Sequence, residues 1–329
     1  MEVRVANVRK EFDRFPALHD VSLDIKSGEL IALLGPSGSG KTTLLRLIAG
    51  LERPTRGKIF FGDEDASQKS IQERNVGFVF QHYAVFKHMT VAKNVAFGLE
   101  IRNKSKAEVA DRVDELLHLV HLSQFAHRLP SQLSGGQRQR MALARALAIQ
   151  PKVLLLDEPF GALDANVRGD LRAWLRRLHE EVQVTTVLVT HDQEEALEVA
   201  DEIVVINDGR IEQVGTPDQL YDEPANDFVM GFLGEVTELG PVRLRPHDIE
   251  VALTPDLAGS TSADILRLTR VGFEVRLVAG TEAGQEVSVV TTRTHARALG
   301  LEEGMRIWIT PTSGAATVPA MTPVLESAS

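Results

Sequence analysis

The feature that most constrains the fold is a glycine-rich stretch of eight residues, Gly35-Pro36-Ser37-Gly38-Ser39-Gly40-Lys41-Thr42, which matches the pattern G-x-x-x-x-G-K-[ST]. It follows an apolar run of strand length, Glu29–Leu34, and opens a predicted helix, Thr42–Ala49. Glycines let backbone N–H groups converge on phosphate oxygens at a helix N-terminus. Lys41 places a cation beside the β- and γ-phosphates, and Thr42 offers a hydroxyl to Mg²⁺. The sequence therefore predicts a strand–loop–helix unit that binds a nucleotide.

Strands and helices alternate from residue 1 to about residue 235. Apolar runs typical of strands buried on both faces are Val76–Phe80, Val153–Leu156, Thr186–Val189 and Ile203–Ile206. Helical spacing of apolar residues is found in Lys106–His121, Gln137–Ala148 and Val167–Val182. Asp208-Gly209 between two short strands indicates a hairpin. This alternation predicts an α/β fold with a largely parallel sheet.

The pattern changes after about Gly234, where helical periodicity fades. Short β-branched runs follow, separated by glycine-containing turns: Asp264–Arg270, Phe273–Val278, Glu286–Thr292 and Met305–Thr310. These runs predict a small antiparallel barrel or sandwich. The tail from Ser313 is rich in Ala, Thr, Pro and Ser and is predicted to be disordered.

Composition excludes several classes of protein. The chain of 329 residues contains no cysteine, which excludes disulfides, thiol nucleophiles and cysteine zinc sites. Its net charge of −10 argues against nucleic acid as a partner, because such binding needs a basic surface. No apolar run approaches the length of a membrane span, and Met1–Arg4 does not resemble a secretory signal. We expect a cytosolic protein that acts at a membrane only through partners.

Two acidic residues end a predicted buried strand. Asp157 and Glu158 follow Val153–Leu156, at the carboxyl edge of the sheet, where α/β folds bind ligands. We expect Asp157 to hold the metal ion. Glu158 is the candidate to polarise the attacking water.

A second helix start suited to anions lies far along the chain, in Leu133-Ser134-Gly135-Gly136-Gln137. Ser134 is a good N-cap, and the two glycines leave backbone N–H groups exposed. Because one phosphate chain does not need two such loops from one molecule, the pattern favours two chains facing head to tail.

The phosphate loop, Leu133–Gln137 and Val153–Glu158 together resemble the ATP-binding cassette (ABC) ATPases. The resemblance is strong over residues 1–235 and implies an α/β P-loop NTPase cassette. Its parts are a mostly parallel sheet, a helical subdomain at about residues 82–150 and an antiparallel β subdomain. Residues 236–312 resemble, more weakly, a small OB-like barrel domain of accessory or regulatory role, and residues 313–329 form the predicted tail.

The same resemblance implies roles for further residues. Gln81 matches the glutamine that senses Mg²⁺ and the membrane subunits, and His191 the switch histidine that contacts the γ-phosphate. Asp164 lies in the loop that crosses to the other protomer, and Phe12 matches the aromatic residue that stacks on adenine. The predicted catalytic residues are Glu158, His191, Gln81 and Lys41, and the predicted metal ligands are Thr42, Gln81 and Asp157. The predicted nucleotide contacts are Phe12, Gly35, Ser37, Gly38, Ser39, Gly40, Lys41, Thr42, Thr43, Ser134, Gly135, Gly136, Gln137 and Asp164.

A single cassette with a C-terminal β domain resembles the ATPase subunits of bacterial importers. Phe86–Val91 and Leu171–Glu181 are similar to the sulfate/thiosulfate importer ATPases. The resemblance implies an ATP- and Mg²⁺-dependent ATPase that works as a homodimer on the cytoplasmic face of the membrane. Two permease subunits would dock near Gln81–Gly98, with a solute-binding protein as an indirect partner.

Two alternatives stay open at this point. The same cassette could serve a sugar (maltose-type), iron or other oxyanion importer, because the transported solute never touches it. It could also be a non-transport ATPase with a regulatory barrel, although the barrel lacks the basic and aromatic strip of a nucleic-acid module. The link Glu235–Leu244 is short, so the barrel resembles a reduced version that either braces the dimer or senses a ligand.

Overall fold

The computed structural model describes residues 1–13, 15–161, 165–255 and 259–319. These residues divide between Pro217 and Asp218 into two compact units, termed the first and the second unit. The sequence places the end of the ATPase domain further along, at Glu235, and that boundary remains a prediction. Within the described ranges, no helix is both long and apolar enough to cross a lipid bilayer.

The described strands of the first unit are β1 (Val3–Phe12), β2 (Phe15–Ile25), β3 (Leu30–Leu34), β4 (Arg56–Phe61), β5 (Glu64–Asp65), β6 (Val76–Val79), β7 (Val153–Asp157), β8 (Thr185–Thr190), β9 (Glu202–Asn207) and β10 (Arg210–Gly215). Its helices are α1 (Lys41–Ala49), α2 (Ile71–Arg74), α3 (Val91–Ile101), α4 (Lys106–Leu119), α5 (Gly135–Ala148), α6 (Ala165–Val182) and α7 (Gln193–Val199). The predicted elements of this unit are confirmed, with their ends shifted by one or two residues.

A sheet in the order β10-β9-β3-β8-β7-β6 forms the centre of the first unit. Its strands β6, β7, β8, β3 and β9 are parallel, and β10 is antiparallel to β9 through the predicted hairpin at Asp208-Gly209. Every residue of β3, β7 and β8 is buried, as their continuous apolar runs predict. The carboxyl ends of these strands therefore meet at one edge, where the predicted site residues follow them.

A second sheet, in the order β2-β1-β4-β5, is antiparallel. It matches the antiparallel subdomain that the resemblance implies. Val3, Val5 and Val8 of this sheet are buried in one apolar core together with residues of β3 and α1. Asn7 has φ 47° and the pairing of β1 with β2 shifts register between Val5 and Val8, so the strict alternation of a strand is lost there.

The described second unit is mostly antiparallel β structure. Its helices are α8 (Pro217–Asp222), which begins at the last residue of the first unit, α9 (Asp227–Phe232) and α10 (Arg293–Ala298). Its strands are β11 (Thr237–Leu239), β12 (Val242–Leu244), β13 (Ile249–Ala252), β14 (Thr261–Val271), β15 (Glu274–Thr281), β16 (Glu286–Thr292), β17 (Arg306–Pro311) and β18 (Val318–Pro319).

These strands form one sheet in the order β13-β17-β14-β15-β16 and another in the order β11-β12-β18. Alternate residues point into a separate apolar core that includes Ile265, Leu277, Val289 and Ile307. The predicted fold class, an α/β P-loop cassette followed by a small all-β domain, is confirmed. Within the predicted disordered tail, β18 pairs with β12, and residues 320–329 lie outside the described residues.

Candidate functional site

The phosphate loop connects β3 to α1, and backbone crowding fixes its shape. A β-carbon at Gly35 would lie 2.0 Å from the carbonyl oxygen of Ile206 in the neighbouring strand β9. Gly40 has φ 101°, and a β-carbon there would lie 2.7 Å from the carbonyl oxygen of Ala17. Only glycine fits both positions without a shift of the backbone.

Lys41 lies within this loop. Its Nζ donates hydrogen bonds to the carbonyl oxygens of Gly35, at 2.8 Å, and Pro36, at 2.7 Å. The residue is only 5% exposed, and burial lowers the pKa of Lys41, an effect that Glu158 and Asp157 partly oppose. A dehydrated ammonium group held beside the loop N–H groups is suited to bind phosphate oxygens.

Thr42, the second residue of α1, reaches the end of β7. Its Oγ1 donates to Asp157 Oδ1 at 3.1 Å. Burial raises the pKa of Asp157, and the hydrogen bond from Thr42 partly offsets this rise. A hydroxyl beside a carboxylate is the hard-oxygen pair that Mg²⁺ prefers. In the described ranges, no group of three or more His, Cys, Asp or Glu side chains could hold a metal ion. A Mg²⁺ ion at Asp157 would therefore also need ligands of other kinds.

Glu158 follows β7, and residues that follow the neighbouring strands β6 and β8 approach it. Its backbone has φ 44°, and its N–H donates to the carbonyl oxygen of Val189 in β8. Gln81, just beyond β6, donates from Nε2 to Glu158 Oε2 at 3.0 Å. His191, just beyond β8, places Nδ1 3.5 Å from the same oxygen. The structure therefore brings together the three predicted residues Gln81, Glu158 and His191.

The second anion-binding loop has the predicted cap. Ser134 Oγ accepts a hydrogen bond from the backbone N–H of Gln137, and the Gln137 side chain accepts one from the backbone N–H of Ser134. This capping box starts α5 and leaves the N–H groups of Gly135 and Gly136 without side-chain caps. Its contact with the nucleotide of a second chain stays a prediction.

The remaining predicted nucleotide contacts are less constrained. Phe12 is 43% exposed at the end of β1, and Lys10 Nζ lies 4.6 Å from the centre of its ring. Ser37, Gly38 and Ser39 lie in the phosphate loop, and Thr43 lies in the first turn of α1. Asp164 lies outside the described residues.

Three residues beside the site are absent from the sequence-based prediction. Arg145 of α5 donates from both terminal nitrogens to the carbonyl oxygens of Ala84 and Tyr83, at 2.7 and 2.8 Å. Thr190, next to His191, donates to Glu195, a buried carboxyl whose pKa burial raises. No local motif identifies these residues, because their partners are backbone groups or are defined only by the fold.

Comparisons with known proteins agree with this geometry. A family model described as "ABC transporter" matches residues 18–161. The chain is 72% identical over 259 residues to the sulfate/thiosulfate import ATP-binding protein CysA of Mesorhizobium japonicum, covering 78% of this chain and 75% of that relative. It is 59% identical over 318 residues to the protein of the same name from Nocardia farcinica, covering 93% of this chain and 96% of the relative.

Among solved structures, the chain is similar to a dimeric ATP-binding cassette in a post-hydrolysis state bound to ADP and Pi. The identity is 35% and the TM-score 0.57, and the match covers 65% of this chain and 98% of that structure. The motif residues described above therefore lie in a fold that a nucleotide-bound cassette also adopts.

Proposed function

This chain belongs to the ABC transporter family of import ATP-binding proteins, and from that premise we propose that it powers the uptake of sulfate and thiosulfate. The ATPase activity follows from the family. The solute is our proposal, supported by relatives that are 72% and 59% identical and are named for sulfate and thiosulfate import. One observation carries the hydrolytic part: Gln81 and His191 both approach one carboxylate oxygen of Glu158.

Glu158 is proposed to orient and deprotonate the attacking water. Its Oε2 accepts a hydrogen bond from the Gln81 amide and lies 3.5 Å from His191 Nδ1, so these two groups restrict the rotation of the carboxylate. A preorganised base of this kind lowers the cost of placing the water in line with the γ-phosphate. His191, whose side chain is 55% exposed, is free to contact that phosphate as well.

Lys41 and Thr42 are proposed to hold the β- and γ-phosphates. The loop donates backbone N–H groups, and Lys41 contributes a cation that moves from its carbonyl partners to phosphate oxygens. Thr42, Asp157 and Gln81 would hold Mg²⁺, which supplies positive charge to the transferring phosphoryl group.

Two copies are proposed to face head to tail, with each ATP between Lys41 of one chain and the Ser134–Gly136 loop of the other. Asp164 would cross between the chains, and Phe12 would stack on adenine. Binding of ATP closes the pair, and hydrolysis opens it, since the phosphates bridge two helix starts. The segment Gln81–Gly98 would transmit this motion to two permease subunits at the cytoplasmic face of the membrane, with a solute-binding protein on the other side.

We predict that Glu158→Gln lowers the rate of ATP hydrolysis at least about 10²-fold, because the amide cannot accept the proton of the water. ATP binding should persist, so the variant should form an ATP-dependent dimer in size-exclusion chromatography. Glu286→Gln, which changes an exposed carboxylate on β16, is the matched control. A monomeric Glu158→Gln chain with undiminished turnover would refute the assignment.

Uptake of radiolabelled sulfate tests the solute. A strain that lacks this gene and any other sulfate importer is complemented with the wild-type chain or with Glu158→Gln. We expect uptake of sulfate, and its competition by thiosulfate, to return with the wild type alone. If the wild-type chain restored the uptake of an unrelated solute but not that of sulfate, the choice of solute would be wrong, while the assignment as an ATPase would stand.

A further inference from the structure

The two neighbours of His191 belong to a network of hydrogen bonds that the proposed catalytic steps do not involve. Thr190 ends β8 immediately before His191, and its Oγ1 donates a hydrogen bond to the carboxyl group of Glu195 in α7. The same Oγ1 accepts a hydrogen bond, at 3.0 Å, from the backbone N–H of Asp192, which follows His191. One hydroxyl group therefore ties together the residues on both sides of the histidine.

The first turn of α7 closes this network. Asp192 is the N-cap of the helix, and its Oδ1 accepts a hydrogen bond from the backbone N–H of Glu195 at 3.3 Å. Its Oδ2 lies 3.3 Å from Nη1 of Arg168 in α6. Glu195 thus contacts the loop twice, through its side chain at Thr190 and through its backbone at Asp192. These contacts restrict the backbone that carries His191.

Glu195 is buried, whereas the residue before it is not. Glu195 is only 3% exposed, while the side chain of Glu194 is 78% exposed. Burial raises the pKa of Glu195, and the hydrogen bond from Thr190 opposes this rise. A buried carboxyl group lowers stability unless its contacts compensate, and perturbed carboxyl groups are frequent beside functional sites. The position of Glu195 next to the hydrolytic residues therefore favours a role in the reaction.

The ring of His191 needs support of this kind. Its side chain is 55% exposed, and Nδ1 lies 3.5 Å from Glu158 Oε2, which is longer than an ordinary hydrogen bond. The placement of the ring therefore depends on the backbone of the loop.

We propose that Glu195 is a positioning residue for ATP hydrolysis. Through its two contacts with the loop it fixes the backbone of His191, so that the ring stays beside Glu158 and faces the γ-phosphate. This inference rests on the proposed function, in which Glu158 and His191 act on the water and the phosphate.

Substitutions of Glu195 separate positioning from folding. Alanine removes the acceptor of Thr190, whereas glutamine retains a carbonyl oxygen that accepts this hydrogen bond. We expect Glu195→Ala to lower kcat for ATP hydrolysis about tenfold or more with KM changed less than about twofold, because the phosphate loop is untouched. Glu195→Gln should keep kcat within about threefold of the wild type. Glu194→Ala is the matched control, since it removes an exposed carboxylate from the same turn of α7.

A His191→Gln background tests whether the effect passes through the histidine. With no histidine left to position, adding Glu195→Ala should change the rate less than about twofold. Single-turnover hydrolysis of radiolabelled ATP resolves the slow rates of these chains. If Glu195→Ala does not fold, Thr190→Val and Thr190→Ser provide the same comparison, since only serine retains the hydroxyl group.

Three results would overturn the proposal: an unchanged kcat in Glu195→Ala, an equal loss in Glu195→Gln, or a tenfold loss that persists in the His191→Gln background. Glu158→Gln in the same assay tests the proposed function separately. If that variant hydrolyses ATP at the normal rate, the proposed function fails. A slow Glu158→Gln beside a normal Glu195→Ala contradicts only the positioning role of Glu195.

Discussion

Gly35 of the phosphate loop has no room for a side chain. Because a β-carbon there would lie 2.0 Å from the Ile206 carbonyl oxygen, Gly35→Ala must displace β9 or the loop. We expect it to lower the free energy of unfolding by about 1–3 kcal/mol and to weaken ATP binding. Gly169→Ala, at an open position in α6, should instead raise stability by about 0.5–1 kcal/mol. Urea denaturation of both variants measures this, and a Gly35→Ala chain as stable as the wild type would contradict the crowding argument.

His179 makes part of the stability depend on pH. Its Nδ1 lies 3.3 Å from Thr186 Oγ1, and its Nε2 lies 3.8 Å from Asp201 Oδ2. Burial lowers the pKa of His179 below 6.5, and Asp201 opposes this only in part. The unfolded chain therefore binds the proton more readily, so His179 removes stability as pH falls below about 6.5.

We predict that His179→Gln flattens the fall in the unfolding midpoint between about pH 7.5 and pH 5.5, since glutamine does not titrate. Thermal unfolding across this range provides the measurement. His127→Gln, at an exposed position, serves as the control and should leave the slope unchanged. Parallel profiles for the wild type and His179→Gln would show that this histidine does not set the pH dependence.

At the scale of elements, α5 links the Ser134 loop at its start to the Gln81 segment near its end. Tyr83 and Ala84 have φ 59° and 43°, a conformation that side-chain-bearing residues rarely adopt. Arg145 holds both of their carbonyl oxygens and lies 5.5 Å from the ring of Phe86. The helix thus fixes the backbone that follows Gln81.

We expect Arg145→Ala to lower kcat for ATP hydrolysis about tenfold with little change in KM, because Gln81 loses its support while the phosphate loop is untouched. The loss of two charge-assisted hydrogen bonds should also cost about 1.5–3 kcal/mol of stability. Arg102→Ala is the control, since it also removes two hydrogen bonds of an arginine, to the Ile149 carbonyl oxygen and to Asn75 Oδ1, but at an exposed position. Unchanged kcat in Arg145→Ala would show that α5 does not position Gln81.

The sequence predicted the elements whose burial is uniform. Strands such as β7 and β8 are buried along their whole length, so their apolar runs stand out. Strand β1 did not stand out, because the turn-like backbone of Asn7 breaks its alternation. The meeting of Gln81 with Glu158 follows only from the adjacency of β6 and β7 in the sheet, since 77 residues separate them in the chain. Arg145 was missed because its partners are carbonyl groups 61 and 62 residues away.

At the scale of the whole molecule, each of the two units buries apolar residues of its own in the described part of the chain. We predict two unfolding transitions in calorimetry. ADP should raise the first unit's transition, since it binds the folded phosphate loop. Ile307→Ala, in the core of the second unit, should lower the free energy of unfolding of that unit by about 2–5 kcal/mol and so lower the temperature of its transition. A single transition that shifts with both changes would show instead that the units unfold together.

The order β8-β7-β6 has an evolutionary consequence. The chain leaves the sheet at the end of β6 and returns at β7, its direct neighbour, so α3, α4 and α5 lie within one excursion. Hydrolytic groups anchored on adjacent strands keep their spacing of about 4.8 Å per strand whatever the length of that excursion. On the proposed docking of the permease at Gln81–Gly98, substitutions in this segment beyond Gln81 therefore change the membrane partner without changing the spacing of the hydrolytic groups. On the same proposal, we expect that exchange of this excursion between cassettes, with Arg145 and its carbonyl partners kept together, gives chimeras that hydrolyse ATP but engage a different permease.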